Sequence, residues 1–179
     1  MELDKFKEFL ESRGWNKSTN QDGESDWCYS NDRLIIQIYD GFYKSKDGEL
    51  IELSCSLSNP DFLNAAKIIS QDNQNGYPIK ITHIELPWGN SWVPFAECEN
   101  RILEWVSNFD LDAELDRFEA LPTSALGAGP IKHLSALAIR HRSSQIEEYI
   151  NSFRDGRRLG FVNYIDIGYL HRAYELAKG

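Results

Sequence analysis

Leu34-Ile35-Ile36-Gln37-Ile38-Tyr39, a polar connection from Asp40 to Gly48, and Leu50-Ile51-Glu52-Leu53-Ser54-Cys55-Ser56-Leu57 together decide the fold. In the second run Ile51, Leu53, Cys55 and Leu57 alternate with Glu52, Ser54 and Ser56. That period-two pattern belongs to a strand buried on one face, and two such runs around a polar link predict a β-hairpin. A sheet with one apolar face needs a cover, so the helical segments before and after the hairpin are expected to pack on it.

Toward the N-terminus, Leu3, Phe6, Phe9 and Leu10 recur at helical spacing and Gly14 supplies a stop. Asn16 to Asp26 is polar and reads as a loop. Trp27-Cys28-Tyr29 reads as a short strand turning at Ser30-Asn31-Asp32 into the hairpin, which makes an antiparallel meander.

Toward the C-terminus, Ser58-Asn59-Pro60-Asp61 combines a capping side chain, a proline for the first turn and an acid at the positive end of a helix dipole. Phe62, Leu63, Ala66, Ile68 and Ile69 form that helix's packing face. Ile79 to Leu86 reads as a further strand, but Ile79 and Ile81 share one parity while Ile84 and Leu86 share the other. The phase change predicts a bulge near Thr82-His83 or burial of both faces. From Ala96 onward helical periods take over, centred on Ile102 to Phe109, Leu111 to Leu121, Ile131 to Ala138, Ile146 to Phe153 and Ile167 to Ala177, with Pro122 to Pro130 as a small-residue connector. The expected fold class is α+β: an antiparallel sheet of about four strands covered by helices, with a mainly helical C-terminal part. Residues 1–179 are expected to form a single domain, with a sheet-containing part over 1–95 and a helical part over 96–179 packed on it.

A chain of 179 residues can bury a core without staples. Its three cysteines, Cys28, Cys55 and Cys98, are odd in number and unevenly spaced, which favours buried reduced thiols over disulfides or zinc. The N-terminus enters an acidic amphipathic helix directly, and no apolar run approaches membrane-spanning length, so a cytoplasmic protein without membrane association is expected. Residues 1–125 carry 11 Lys/Arg against 23 Asp/Glu, a balance of −12, and residues 126–179 carry 8 against 5, a balance of +3. The acidic first part argues against nucleic-acid binding and favours a basic protein partner.

No stretch carries a catalytic signature. The four histidines, His83, His133, His141 and His171, stand in no HExxH spacing and none is near a cysteine, so no metal site and no cofactor are expected. Gly127-Ala128-Gly129-Pro130 lacks the Gly-Lys-Ser/Thr ending of a P-loop. Two groups remain as candidate binding residues. Asp110, Asp112 and Asp116, with Glu114 and Glu119, make an acidic helix face suited to Lys/Arg on a partner, and Trp88 and Trp92 supply aromatic anchors in a glycine- and proline-bounded loop. Arg140, His141, Arg142, Arg154, Arg157 and Arg158 form a candidate anion-binding set, which pairs with the protein's own acidic first part in the alternative reading.

In size, acidity and element order the chain resembles small cytosolic bacterial proteins of the polymorphic-toxin immunity type. The resemblance implies a non-catalytic protein-binding module that neutralises a cognate toxin by covering its basic active surface, and it assigns no individual residues. Two other classes stand beside it. An enzyme or binder for a phosphorylated or nucleotide-like ligand would use the arginine set in a concave pocket. A homo-oligomer subunit would place Trp88 and Trp92 on a self-complementary apolar patch.

Overall fold

The computed structural model describes residues 2–19, 25–30, 33–39, 43–44, 50–72, 77–87 and 95–179. In chain order these form α1 (Glu2–Ser12), β1 (Asn16–Thr19), β2 (Ser25–Ser30), β3 (Ile35–Tyr39), β4 (Tyr43–Lys44), β5 (Leu50–Ser58), α2 (Pro60–Ser70), β6 (Lys80–Pro87), α3 (Phe95–Ser107), α4 (Leu111–Glu119), α5 (Gly129–Ile139), α6 (Ser143–Arg154) and α7 (Ile167–Lys178). The fold is α+β, with an antiparallel sheet and a helical C-terminal part. Two compact units divide the chain: Met1–Asn59 with Pro78–Phe109, and Pro60–Tyr77 with Asp110–Gly179. α2 groups with the C-terminal helices and α3 with the sheet strands.

In the sheet unit, β5 is long enough to hold three partners. Antiparallel β3 pairs with its C-terminal half, matching Ile36 to Leu57 and Ile38 to Cys55, as the hairpin pattern requires. On the same edge β4 matches Tyr43 to Glu52. Along the other edge β6 runs from Leu50 opposite Pro87 to Leu57 opposite Lys80. β2 continues the sheet beyond β3, and β1 beyond β2.

Among the described residues six strands therefore stand where about four were expected. β1 lies in the segment read as a loop: Asn-Lys-Ser-Thr has no apolar alternation, and its strand partner among the described residues is β2. An edge strand needs only backbone partners, and a lysine-bearing polar edge resists pairing with other chains. β4 is two residues long, too short for any period.

Neither explanation of the phase change in β6 holds. Its register with β5 is unbroken, so there is no bulge, and Ile81 is 55 % exposed, so both faces are not buried. Ile79 precedes the strand, where it is buried and donates its N–H to the Leu57 carbonyl at 2.8 Å. Within the strand Thr82 and Ile84 lie opposite Cys55 and Leu53 on the core side.

Trp27, Ile36, Ile38, Leu53, Cys55 and Leu57 form the apolar face. Phe6 and Leu10 of α1 and Cys98 and Ile102 of α3 belong to the same cluster. The cover before the hairpin is thus the expected one, and the second is α3. Burial pushes the Cys55 thiol up to about 12 and that of Cys98 to about 11, so both stay protonated and inert. Glu99 of α3 is buried with two donors: Arg13 Nε at 3.0 Å and Trp15 Nε1 at 3.3 Å.

The helical unit is organised on α5, in which Pro130, Ile131 and every residue from His133 to Ala138 are buried. A helix apolar on all sides is a core helix. Ala66 and Ile69 of α2, Ile146 and Ile150 of α6, and Leu170, Ala173 and Ala177 of α7 share its cluster. Phe62 of α2 stacks on Phe118 of α4 with centroids 5.5 Å apart. Arg172 of α7 donates to the Ile69 carbonyl at 2.8 Å, supplying a partner that the last turn of α2 lacks within the helix. Among the described residues no helix is long and apolar enough to cross a membrane.

Candidate functional site

The acidic segment becomes α4 because Asp110 is a good N-cap: its Oδ1 accepts from the Ala113 N–H at 3.0 Å, and Asp112 and Glu114 occupy the first turn at the positive end of the dipole. Leu115 and Phe118 are the buried side of the helix. The opposite face carries Asp112 and Asp116, one turn apart and hence neighbours.

Arg140, at the C-cap of α5, lies between them. Its Nη2 is 3.2 Å from Asp112 Oδ1 and 3.0 Å from Asp116 Oδ1, and it also donates to the Asp112 carbonyl at 3.0 Å. The carboxylate side chains remain 73 % and 70 % exposed. Arg140 Nε faces Glu119 Oε1 at 3.6 Å; both atoms are buried, neither is hydrogen-bonded, and opposite charge alone joins them. Arg142 completes the set, its Nε donating to Glu119 Oε2 at 3.1 Å. Two cations from the α5–α6 corner thus hold three carboxylates of α4.

Beneath this surface a neutral network joins α4, α5 and α6. His133 is buried, with Nδ1 3.0 Å from the Phe118 carbonyl and Nε2 3.2 Å from the Tyr149 hydroxyl. Gln145 Nε2 donates to that hydroxyl at 2.6 Å. Only one proton arrangement satisfies every group: Nδ1–H donates to the carbonyl, and the tyrosine hydroxyl donates to Nε2 while accepting from glutamine. Burial, as the largest cause, pulls the histidine below its ordinary value, consistent with the neutral form. Its burial, with both ring nitrogens engaged, withholds it from acid–base chemistry on an outside substrate.

The candidate anion-binding residues fall into two groups rather than one. Arg140 and Arg142 are committed to α4, and His141 Nδ1 lies 3.1 Å from the Ala177 carbonyl at the end of α7. Arg154 ends α6, Arg157 pairs with Asp155 at 3.0 Å, and Arg158 donates to the carbonyls of Val162 and Ile165 at 2.9 and 2.7 Å. The 12 residues of α6 separate the groups by about 18 Å at 1.5 Å per residue. Arg140 and Arg142 pair with carboxylates of the acidic first part, whereas Arg157 pairs with its near neighbour Asp155. Among the described residues no group of histidine, cysteine, aspartate and glutamate side chains is placed to hold a metal ion. Trp88 and Trp92 lie outside the described residues.

In the sequence Glu119 is one of five acids on a single helix face; in the structure its Oε2 accepts from Arg142 and its Oε1 faces Arg140 at 3.6 Å without a hydrogen bond. Its sequence signal was weak, since only the folded chain brings residue 119 to residues 140 and 142. Glu99 and its two donors had no signal beyond a carboxylate on the apolar side of a helix.

Comparison with known proteins adds one match: the model of a family of unknown function, DUF6990, covers residues 3–178. No curated protein matches the chain, and no solved structure does.

Proposed function

The chain belongs to the DUF6990 family of unknown function, and from its own geometry we propose that it is a non-catalytic protein-binding module that covers a basic surface of a partner with the exposed face of α4. The observation that carries this is the pair Asp112 and Asp116: both carboxylates are mostly exposed, and both are held through Oδ1 by one guanidinium. Each has a second oxygen with which to accept from an incoming lysine or arginine. Holding the side chains beforehand lowers the ordering cost of binding. Counting Asp110, Asp112, Glu114, Asp116 and Glu119 against Arg117, Arg140 and Arg142 leaves the surface at −2. The finer form of the proposal is an immunity protein that neutralises a cognate toxin in the cytoplasm. The phosphorylated-ligand alternative is weakened by arginines that lie at opposite ends of α6 and pair at home.

The test uses the full chain as bait for the product of the neighbouring gene, with the complex quantified at low and at moderate salt. A stoichiometric basic partner, lost as salt rises and lost in the double variant Asp112→Lys/Asp116→Lys, supports the proposal. Retention of the partner by the double variant, or absence of any complex, overturns it. For the finer form, co-expression must restore growth to cells making the partner.

A further inference from the structure

The central strand β5 carries three serines at a spacing of two, Ser54, Ser56 and Ser58, interleaved with the core residues Leu53, Cys55 and Leu57. Alternation turns all three hydroxyls to the side of the sheet away from that core. Ser56 and Ser58 are buried, and Ser56 is engaged by its neighbours: its Oγ accepts from the Tyr39 hydroxyl at 3.1 Å and donates to Gln37 Oε1 at 3.4 Å. Ser54 differs in both respects. It is half-buried, within reach of solvent, and its Oγ lies 3.1 Å from Nδ1 of the exposed His83.

His83 stands directly opposite Ser54 in the register of β5 with β6, and the flanking pairs, Leu53 with Ile84 and Cys55 with Thr82, continue that register without a break. Leu53 and Cys55 are fully buried, so the backbone on either side of Ser54 is anchored in the core. Side chains carried on paired strands are held more precisely than side chains on loops. A hydroxyl within hydrogen-bond reach of an imidazole is the arrangement of a nucleophile with its general base. With the ring proton on Nε2, Nδ1 accepts from the hydroxyl.

We infer that Ser54 is an acyl-acceptor site, its hydroxyl taking an acyl group from an activated ester or thioester with His83 as the base. As Ser54 Oγ bonds to the acyl carbon, its proton passes to His83 Nδ1. The bond from carbon to the leaving group then breaks, and the imidazolium returns the proton to the departing oxygen or sulfur. The products are an O-acyl ester at Ser54 and one free alcohol or thiol. A positioned base contributes about 10²–10⁴-fold, which suits donors whose leaving group is already good. The acylation is stoichiometric, so it adds a modification site in the sheet unit to the binding module and involves no turnover.

The experiment treats the full chain with p-nitrophenyl acetate, follows release of nitrophenolate and maps the acetyl group by peptide mass spectrometry. One acetyl group per chain, on Ser54 and not on Ser56 or Ser58, is expected. Its rate should climb and level off between about pH 5 and about pH 8, the range in which imidazoles titrate. His83→Gln keeps a side chain able to hydrogen-bond Ser54 but removes the base. It should melt like the parent, label Ser54 about a hundredfold more slowly and lose the rise with pH. Ser54→Ala should abolish the fast release. A hydrogen bond of structural value only would leave the labelling rate unmoved by glutamine. The proposal fails if Ser54 stays unmodified, if acetyl groups spread over lysines and hydroxyls according to exposure, or if His83→Gln labels like the parent. Release from Ser54→Ala as fast as from the parent, with the acetyl group on His83, would make the imidazole the nucleophile and also overturn it.

Discussion

The sheet unit and the helical unit each bury a polar side chain, and they solve the problem in different ways. Glu99 in the sheet unit takes donors from Arg13 and Trp15. His133 in the helical unit is held by a carbonyl and a hydroxyl, and burial outweighs the pull of the Glu119 carboxylate on its proton. A buried carboxylate needs a counter-charge, whereas a buried imidazole can discharge by losing its proton. The same division runs through the surfaces. The sheet unit carries 9 Lys/Arg against 16 Asp/Glu, a balance of −7, and the helical unit 10 against 12, a balance of −2, so the acid excess lies mainly with the sheet. In the helical unit acids and arginines meet on α4; in the sheet unit the apolar face is joined by a buried Glu99 whose arginine partner is 57 % exposed.

The comparison predicts apolar cores of equal weight, which is the largest effect. Ile38→Ala in the sheet unit and Leu134→Ala in α5 should each cost about 2–5 kcal/mol, read by denaturant unfolding with hydrogen exchange to localise the loss. A much smaller loss at Ile38 would mean that the sheet owes its order to something other than its buried face.

Next come the two buried polar groups. His133→Phe leaves the Phe118 carbonyl and the Tyr149 hydroxyl short of a partner and should cost about 1–3 kcal/mol. The pH dependence sharpens the contrast. Because the folded value of His133 lies below the unfolded one of about 6.5, its contribution is full above pH 6.5 and is lost as pH falls from there toward the folded value. Stability measured from pH 8 downward should therefore begin to decline near 6.5, and His133→Phe should flatten that part of the curve. A decline unchanged by the substitution would assign it to other groups.

Glu99→Ala strands the indole N–H of Trp15 and should cost about 1–3 kcal/mol, while Glu99→Gln, which keeps an acceptor, should cost less. Equal losses would make the charge, not the acceptor, the operative feature. The smallest stability effect belongs to the exposed network: Arg140→Ala should cost at most about 1 kcal/mol and should shrink with added salt. The same variant frees Asp112 and Asp116, so a basic partner should bind more weakly despite the added negative charge, if prior ordering of those carboxylates matters.

Much of this architecture was legible in the residues. The alternation of Leu53, Cys55 and Leu57 located the central strand, and the helical periods located each helix, because those patterns record which side of an element is dry. β1 and β4 were not legible, since edge pairing uses backbone groups that every residue carries. The parity of Ile79 misled because a residue outside a strand is not bound by its alternation. Of the candidate site, the acidic face and the internal pairing of arginines were readable as classes of residue. The backbone at Leu159 was not: nothing near it announces a left-handed conformation.

The sequence by itself determined the central strands, the helices and the acidic balance, since these depend on neighbours within a few positions along the chain. Only the tertiary structure decided which charges meet, which histidine is neutral and where leucines stay in water. Arg140 finds Asp112 and Asp116, and Thr123 finds Leu159, across dozens of residues, and local periodicity holds no record of contacts that packing alone brings within hydrogen-bond reach.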